Sequence, residues 1–455
     1  MTARDRVVFL SAAAASAFVS FLAADVRAVS GDAALGTHPY DSFTPTADCA
    51  ECHDSFARQH EQAMMSQSFT HHWDEIEYYE LAAPHADKEP KVAGVKAGCN
   101  GCHAPLAFLA GEIPPRRPAE NSRANEGVSC DVCHSITGFE GDVPFNFNYV
   151  IAPGDVKQGI RGDRESPDHE IAANPFLKSA EFCGTCHNEK DPFGQWVKAT
   201  HLEWKESPYA QAGIVCQDCH MPPAESATVE DGEPRPDARQ HLFHGAHDPG
   251  KLAGAVEVRV QPATREAKKG DTQTLTAVVV NAKAGHSIPS GSAEERVVWL
   301  HVTATDSKGR TWHLPVNPKG FEGEDYTIAS AEARAYQDLG EIQDLANFAG
   351  LPRDGEVPAG DRIFRLPYLD PKGRMTIAQW NTASFGPDYR LAPLAAVNET
   401  FTWKLPADLA SGPVQVRAEV WYSRLVSSVG EHLGVPAEEW APVRMGEHVT
   451  TFTVL

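Results

Sequence analysis

The chain has 455 residues, a formal net charge of −22 and 42% hydrophobic residues. This length predicts about two or three domains, and the apolar content is too high for a disordered protein. The negative charge argues against nucleic acid or an anionic membrane as a partner, and it favours a basic partner protein or simply solubility.

The first 28 residues have the pattern of an export signal. Arg4 and Arg6 form a short positive region, and residues 7–24 are apolar or small and carry no charge. Small residues occupy the −3 and −1 positions of a cleavage site after Ala28. The alternative is an uncleaved membrane anchor, because 18 such residues reach the lower end of spanning length. We predict cleavage and a periplasmic location, with an extracellular or outer-surface location as the alternative, and membrane contact only through an uncleaved signal.

All ten cysteines fall into five Cys-x-x-Cys-His units. The units are Cys49, Cys52 and His53; Cys99, Cys102 and His103; Cys130, Cys133 and His134; Cys183, Cys186 and His187; and Cys216, Cys219 and His220. Cysteines three apart lie on one side of a helical turn and can bond both vinyl groups of one haem. The adjacent histidine then binds the iron as proximal ligand. A single unit could be a redox or zinc motif, but five units that use every cysteine predict five covalently attached c-type haems and no disulfides.

The second, distal iron ligands are less constrained. Fifteen histidines lie outside the motifs, and ten of these precede residue 250. The ten are His38, His60, His71, His72, His85, His169, His201, His241, His244 and His247. Met64 and Met65 are the other candidates near the first haem, where a thioether ligand would raise the reduction potential. For each histidine the alternative is a surface or hydrogen-bonding role, and for each methionine it is core packing.

Several stretches carry a family resemblance. The most specific is Glu203 to Ala210 (EWKESPYA) followed by Gly213 to Pro222 (GIVCQDCHMP). Others are 127–134, 181–187 and 241–247. In these stretches the chain resembles the periplasmic multihaem cytochromes c related to the tetrahaem cytochromes and the octahaem hydroxylamine oxidoreductases. The resemblance covers residues 48–249 and implies a haem-rich fold that carries electrons.

The resemblance also implies ligands. By this resemblance, His241 is the first candidate for a distal ligand, and His169 and His201 are the next candidates. At the first motif the chain departs from the family, because residues 60–66 read HEQAMMS where relatives often have Trp-x-x-Ser-x-His. The distal ligand of the first haem therefore lies among His60, Met65, His71 and His72.

Two further features bear on the haems. Related nitrite reductases replace the motif histidine by lysine at the active haem, and all five motifs here end in histidine. The first cysteines of successive motifs are 31 to 53 residues apart, and motifs two and three, and four and five, are closest. This spacing predicts two stacked haem pairs plus one single haem.

The chain divides near residue 250. Residues 29–250 hold the haems and show short, broken helical patterns, which predict a mostly irregular and helical cytochrome domain. Residues 251–455 lack cysteine and contain alternating strands near 256–260, 275–279, 298–302, 414–420 and 452–454. They predict an all-β immunoglobulin-like sandwich with an insertion near 311–400 that contains a short helix at 330–341. His286 lies in a loop between two strands, where it could bind a haem or hydrogen-bond the turn, and the second role is favoured.

Three functions are compatible with these features. The first is an electron carrier between redox partners, such as a membrane quinol oxidase or another cytochrome, in which every iron has two protein ligands. The second is an oxidoreductase with one open haem that binds a small nitrogen or sulfur compound. The third is a subunit of an extracellular cytochrome filament, for which an inter-subunit ligand such as His38 or His286 would be the mark. We favour the carrier over the enzyme, as a family expectation, because fold alone does not decide chemistry.

Overall fold

The computed structural model describes residues 29–316, 357–358 and 360–455. The predicted export signal at 1–28 and the predicted helix at 330–341 lie outside these residues. None of the helices in the described ranges is long and apolar enough to cross a bilayer.

The N-terminal half consists of short helices and small sheets. The α-helices described there are α1 (Thr46–Ala50), α2 (Asp54–Glu61), α3 (His72–Ile76), α4 (Ala83–Lys88), α5 (Val95–His103), α6 (Pro105–Ala110), α7 (Cys130–Cys133), α8 (Ala180–His187), α9 (Thr200–Lys205), α10 (Pro208–Gln211), α11 (Cys216–His220) and α12 (Pro249–Leu252). A π-helical segment, Glu77–Ala82, joins α3 to α4. Single 3-10 turns occur at Gly31–Ala34, Tyr40–Ser42, Pro90–Val92, Pro118–Glu120, Arg123–Glu126 and Pro175–Lys178, with one more in the C-terminal half at Gln379–Asn381. The predicted helical character of this half is confirmed.

In four of the five motifs both cysteines lie on one helix, which sets their spacing; in the first motif Cys49 lies on α1 and Cys52 follows it. The third and fourth motifs lie on helices that begin at a capping serine. The Ser129 hydroxyl accepts a hydrogen bond from the Val132 amide, and the Ser179 hydroxyl accepts one from the Phe182 amide. Such caps satisfy amides that a short helix would otherwise leave unpaired. The helical turns carrying these motifs are therefore fixed locally.

The strands of the N-terminal half form four small sheets. They are β1 (Val29–Ser30), β2 (Ile136–Phe139), β3 (Tyr149–Ile151), β4 (Val156–Gly159), β5 (Glu170–Ala173), β6 (Asn188–Lys190), β7 (Trp196–Ala199), β8 (Pro223–Ser226) and β9 (Arg235–Arg239). The sheet orders are β1-β3-β2, β4-β5, β6-β7 and β8-β9. Because these strands are so short, they serve mainly to hold the loops around the motifs.

Within its described residues, the C-terminal half contains two larger sheets and two helices. Its strands are β10 (Val256–Pro262), β11 (Glu266–Ala267), β12 (Thr272–Asn281), β13 (Val297–Thr305), β14 (Thr311–His313), β15 (Arg362–Phe364), β16 (Tyr368–Leu369), β17 (Ser384–Phe385), β18 (Ala396–Lys404), β19 (Gly412–Ser423) and β20 (Val443–Val454), and its helices are α13 (Ser427–Leu433) and α14 (Ala437–Trp440). One sheet has the order β10-β12-β18, and the other has the order β11-β20-β19-β13-β14, with β15 paired to β13. The predicted strand-rich character of this half is confirmed.

One apolar core joins the two larger sheets. It contains Val258 and Ala277 from the first sheet and Leu300 and Val416 from the second, all of them buried. Alternate residues of β10 point into this core and the others are exposed, as expected for a strand with one buried face. Sequence analysis assigned 311–400 to an insertion, but β14, β15, β16, β17 and the first part of β18 lie in that range.

The two halves also share a core with each other. Trp73 and Leu81 of the N-terminal half pack with Ile377, Trp380 and Val429 of the C-terminal half. Polar contacts add to this interface: the indole NH of Trp380 donates to His85 Nδ1 at 2.9 Å. The orientation of the halves is therefore fixed by packing as well as by the chain connection near residue 250.

Candidate functional site

None of the ten cysteines forms a disulfide in the described structure. Contacts between motifs link the thiols of Cys49 and Cys130, of Cys102 and Cys186, and of Cys183 and Cys216. The first motif thus lies against the third, and the fourth lies against both the second and the fifth. The spacing-based pairing of motifs two and three differs from this arrangement, because the chain between the motifs folds back on itself instead of joining neighbours in sequence.

A single large cavity connects the five motifs. Its volume is about 2390 Å³, and all five motif histidines line it. Nine of the motif cysteines line it as well: Cys49, Cys52, Cys102, Cys130, Cys133, Cys183, Cys186, Cys216 and Cys219. The chemistry of c-type haem attachment therefore faces one connected space.

The motif histidines are oriented by backbone carbonyls. The Nδ1–H group of His53 donates to Thr228 O at 2.6 Å, that of His103 to Ser68 O at 2.9 Å, that of His134 to Gln158 O at 2.6 Å, and that of His220 to His244 O at 2.7 Å. A hydrogen bond at Nδ1 fixes the tautomer and leaves Nε2 free to bind a metal. Four of the five motif rings are thus prepared for an iron ligand role.

Three motif histidines have a second histidine opposite them. The ring centroids of His53 and His169 are 6.4 Å apart, those of His134 and His241 are 6.3 Å apart, and those of His220 and His286 are 6.5 Å apart. Two metal–nitrogen bonds of about 2 Å each, plus the distance from each nitrogen to its ring centre, add up to ~6 Å. The three pairs therefore fit one iron between their rings.

Burial keeps several of these rings neutral, which is the form that binds iron. Burial, and then the neighbouring His134, lower the pKa of His241 to about 4. Burial likewise lowers the pKa of His220 to about 4, although its hydrogen bond to His244 O acts in the opposite direction.

The predicted distal ligands separate into two groups. His169 and His241 lie opposite motif histidines, as described above. His201 is buried, its Nδ1 is 3.1 Å from the Asn188 side-chain nitrogen, and its ring packs where a Cβ on Gly184 would lie. Its Nε2 atom is buried and has no hydrogen-bond partner among the described residues.

The candidates for the first haem lie elsewhere. His60 is buried and its Nε2–H group donates to Val128 O at 2.9 Å. Met65 lines the cavity, and its carbonyl accepts a hydrogen bond from the Val128 amide. His71 contacts Asp74 at 3.3 Å and Glu439 at 2.9 Å. The ring opposite His53 is His169 instead of any of these.

His286 makes the favoured loop hydrogen bond and also lies opposite a motif histidine. Its Nδ1–H group donates to Ser287 O at 2.9 Å, and its ring plane lies within 17° of parallel to that of His220. This position depends on how the C-terminal half docks, which no local sequence signal reports.

The second and fourth motifs differ from the others. Neither His103 nor His187 has another aromatic ring in contact within the described part of the chain. Asp74 Oδ1 lies 3.2 Å from His103 Nδ1. Burial, followed by the neighbouring His103, lowers the pKa of His187 to about 4.

Polar groups gather in the cavity wall near these two motifs. They include Lys198, Arg296 and Tyr422, which sequence analysis missed, and His247, which it gave as a candidate distal ligand. The hydroxyl of Tyr422 and the Nε of Arg296 are buried without a hydrogen-bond partner among the described residues. Only the clustering of these residues in the fold reveals them, because they lie far apart in sequence.

A buried group of charges lies behind this wall. Glu294 and Glu295 are adjacent and buried, and burial raises the pKa of each to about 8. Burial also raises the pKa of Glu77 well above its usual range. Lys198 lies among these acids and forms an ion pair with Glu189 at 2.6 Å. The group can hold protons at neutral pH.

Comparison with known proteins agrees with these features. Residues 48–135, which include the first three motifs, match the family model described as cytochrome c554 and c-prime. The chain is similar in structure to a penta-heme cytochrome c552 from Thermochromatium tepidum, with 22% sequence identity, a TM-score of 0.63, and coverage of 91% of this chain and 100% of that chain.

Other structural matches are confined to less than half of the chain. They include the sporulation control protein Spo0M from Bacillus subtilis, with 10% identity, coverage of 44% of this chain and 49% of that chain, and a TM-score of 0.17. A type I cohesin from Pseudobacteroides cellulosolvens has 11% identity, coverage of 44% and 92%, and a TM-score of 0.16. None of the curated proteins matches this chain.

The family match over residues 48–135 and the fold shared with the penta-heme cytochrome c552 support a multihaem cytochrome c with covalently bound, iron-containing c-type haem.

Proposed function

We propose that the chain is an exported pentahaem cytochrome c that relays electrons between redox partners. The observation that carries this proposal is the set of three histidine pairs, His53 with His169, His134 with His241, and His220 with His286, each 6.3 to 6.5 Å apart between ring centroids. An iron with two imidazole ligands has no open position for a substrate, so such haems serve electron transfer.

The contacts between motifs support a continuous path. Motif one touches motif three, and motif four touches motifs two and five. Thiol contacts require the attached haems to lie close together, and the common cavity joins the two groups of motifs. Electrons could therefore pass along all five haems. Bound haem supplies the redox chemistry, while the chain supplies ligands, orientation and exclusion of water.

The remaining parts of the proposal come from the sequence. The division at residue 250, the immunoglobulin-like character of the C-terminal half, the periplasmic location and the redox partners, a membrane quinol oxidase or another cytochrome, stay predictions. The shared core of the two sheets is compatible with a sandwich.

Haem quantification and a spectroelectrochemical titration test this proposal on the purified holoprotein. We expect five haems per chain and reversible, one-electron steps that account for all of them. Fewer than five haems, or haems that cannot be reduced through a common mediator, would contradict the relay.

A second candidate function is reduction or oxidation of a small nitrogen or sulfur compound at the second or fourth haem. The observation that favours it is the lack of a ring opposite His103 and His187 in the described residues, next to a wall that contains Lys198, Arg296 and Tyr422. Positive groups would attract an anion such as nitrite, and Tyr422 or His247 would handle protons. Spectral changes of the ferric protein on adding nitrite or hydroxylamine would support this function, and the absence of any change would argue against it.

A further inference from the structure

Two histidines and one aspartate meet on the second large sheet, far from the motifs in sequence. His301 lies on β13, His313 ends β14, and Asp361 directly precedes β15. Both β14 and β15 pair with β13, and His313 lies opposite Thr303 in that register. The pleat places His301 and Thr303 on the same face of the strand, so the two imidazoles project from neighbouring strands on one side of the sheet.

The side chains converge on a single carboxylate. His301 Nδ1 is 2.8 Å from Asp361 Oδ2, and His313 Nε2 is 2.6 Å from Asp361 Oδ1. The two rings stack with centroids 5.1 Å apart and planes 21° apart. One ligand atom from each of the three residues lies within 4.8 Å of the other two. Three donor atoms this close together can reach one ion.

The carboxylate of this group is buried, whereas its two imidazoles are partly exposed to solvent. The Asp361 side chain is 1% exposed, whereas those of His301 and His313 are 22% and 33% exposed. The carboxylate is therefore held rigidly under the sheet surface, and the imidazoles form a rim that solvent can reach. The hydrogen bond and the charge of Asp361 also raise the pKa of His301.

We infer that His301, His313 and Asp361 form a binding site for a divalent transition-metal ion of the Zn²⁺ class. Two imidazole nitrogens and a carboxylate are a ligand set that zinc accepts, with a fourth position left for water. Nitrogen ligands disfavour Ca²⁺ and Mg²⁺, which prefer oxygen. In binding, the ring nitrogens exchange their hydrogen bonds to Asp361 for bonds to the ion.

The site has a structural consequence. His313 and Asp361 stand on either side of residues 317–356 in the sequence, and the Val316 amide donates to Gly360 O at 2.8 Å. An ion held by these residues and His301 would fasten β14 and the start of β15 to the middle strand β13. Because a metal that binds only the folded state stabilises it, bound zinc should raise the melting temperature.

Zinc binding to the full-length holoprotein tests the inference. Isothermal titration with zinc salt gives the affinity, and X-ray absorption at the zinc edge reports the ligands without interference from haem iron. We expect one zinc per chain with nitrogen and oxygen ligands, and no competition from Ca²⁺ or Mg²⁺. His313→Ala and Asp361→Asn should each weaken binding at least ~10-fold, the lower end of the loss seen for residues that only support a ligand.

Two controls make the result specific. His432→Ala removes an exposed histidine of α13 and should leave the affinity unchanged. Glu439→Gln alters the other group of two histidines and a carboxylate, His71, His247 and Glu439, and should also leave it unchanged. Circular dichroism and haem absorption check that each variant folds. The inference is wrong if zinc does not bind, if His313→Ala and Asp361→Asn bind it as the parent does, or if Glu439→Gln alone removes it.

Discussion

His286 of the C-terminal half lies opposite His220 of the fifth motif, with ring centroids 6.5 Å apart and planes 17° apart. The contact joins a loop before β13 to a motif helix, α11, of the N-terminal half. If both rings bind the fifth iron, the C-terminal half completes a haem site and is more than a docking module. The two halves would then depend on each other for haem ligation as well as for packing.

Replacing His286 by alanine should change the spin state of one haem. The fifth iron would lose its distal ligand, so about one low-spin signal per chain should become high-spin in the electron paramagnetic resonance (EPR) spectrum. His313→Ala, a substitution in the same half of the chain, is the matched control and should leave the spectrum unchanged. An unaltered low-spin count in His286→Ala would show that His286 is not a ligand.

Replacing Gly101 by alanine should destabilise the second motif. A Cβ at Gly101 would lie 2.4 Å from the Phe147 ring, whereas one at Gly98, on the same helix, would lie 3.9 Å from it. We expect Gly101→Ala to lose ~1–3 kcal/mol by overpacking, and Gly98→Ala to gain up to about 1 kcal/mol from helix propensity. Thermal unfolding followed by haem absorption measures both. Equal melting temperatures for the two variants would contradict the close packing.

The buried pair of Glu294 and Glu295 should make stability depend on pH. Burial raises the pKa of each from 4.5 to about 8, so the folded state holds a proton that the unfolded state releases. The contribution of these two glutamates to the free energy of unfolding is fully present below about pH 4.5 and is lost as the pH rises towards 8. For each proton, the free energy of unfolding falls by up to ~1.4 kcal/mol per pH unit.

Glu295→Gln should therefore flatten the fall in melting temperature between about pH 5 and about pH 8. Glu438→Gln, at an exposed position of α14, is the control and should keep the parental slope. A slope in Glu295→Gln as steep as in the parent would mean that this pair does not hold the proton.

Asp74 should lower the reduction potential of the second haem. Its carboxylate lies 3.2 Å from the Nδ1 of His103, and a negative charge beside the proximal ligand favours the ferric state. Asp74→Asn should raise this potential by on the order of 60 mV, the equivalent of a tenfold change for one electron.

A potentiometric titration followed by absorption measures this potential. The control is Asp87→Asn, which alters an aspartate paired with Lys96 at 2.7 Å on the surface and should shift no haem by a comparable amount. A lower or unchanged potential in Asp74→Asn would rule out this role for Asp74.

The features that can be predicted from the sequence are local ones. The ten cysteines and five motif histidines form a five-residue pattern, and β10 was predicted from alternating apolar residues, which the structure buries. Strand β18 was not among the predicted strands, because Glu399, which pairs with Arg362 at 3.2 Å, occupies a buried strand position that is usually apolar. A buried ion pair hides the alternation that marks a strand.

Which histidines lie opposite the motif rings could not be predicted from the sequence. His169 and His241 lie opposite motif rings, whereas His60 and His201 instead contact Val128 and Asn188. These four histidines look alike in sequence, because the folding of long loops decides which ring meets which motif. The position of His286 opposite His220 could not be predicted for the same reason, since it depends on the docking of the two halves.

EPR of the purified ferric holoprotein at low temperature, with haem quantified on the same sample, counts the irons that lie between two histidines. We expect five haems per chain, with low-spin signals of bis-imidazole type that integrate to at least three of them. Fewer than three low-spin haems would contradict the histidine pairs, and with them the electron relay that they support.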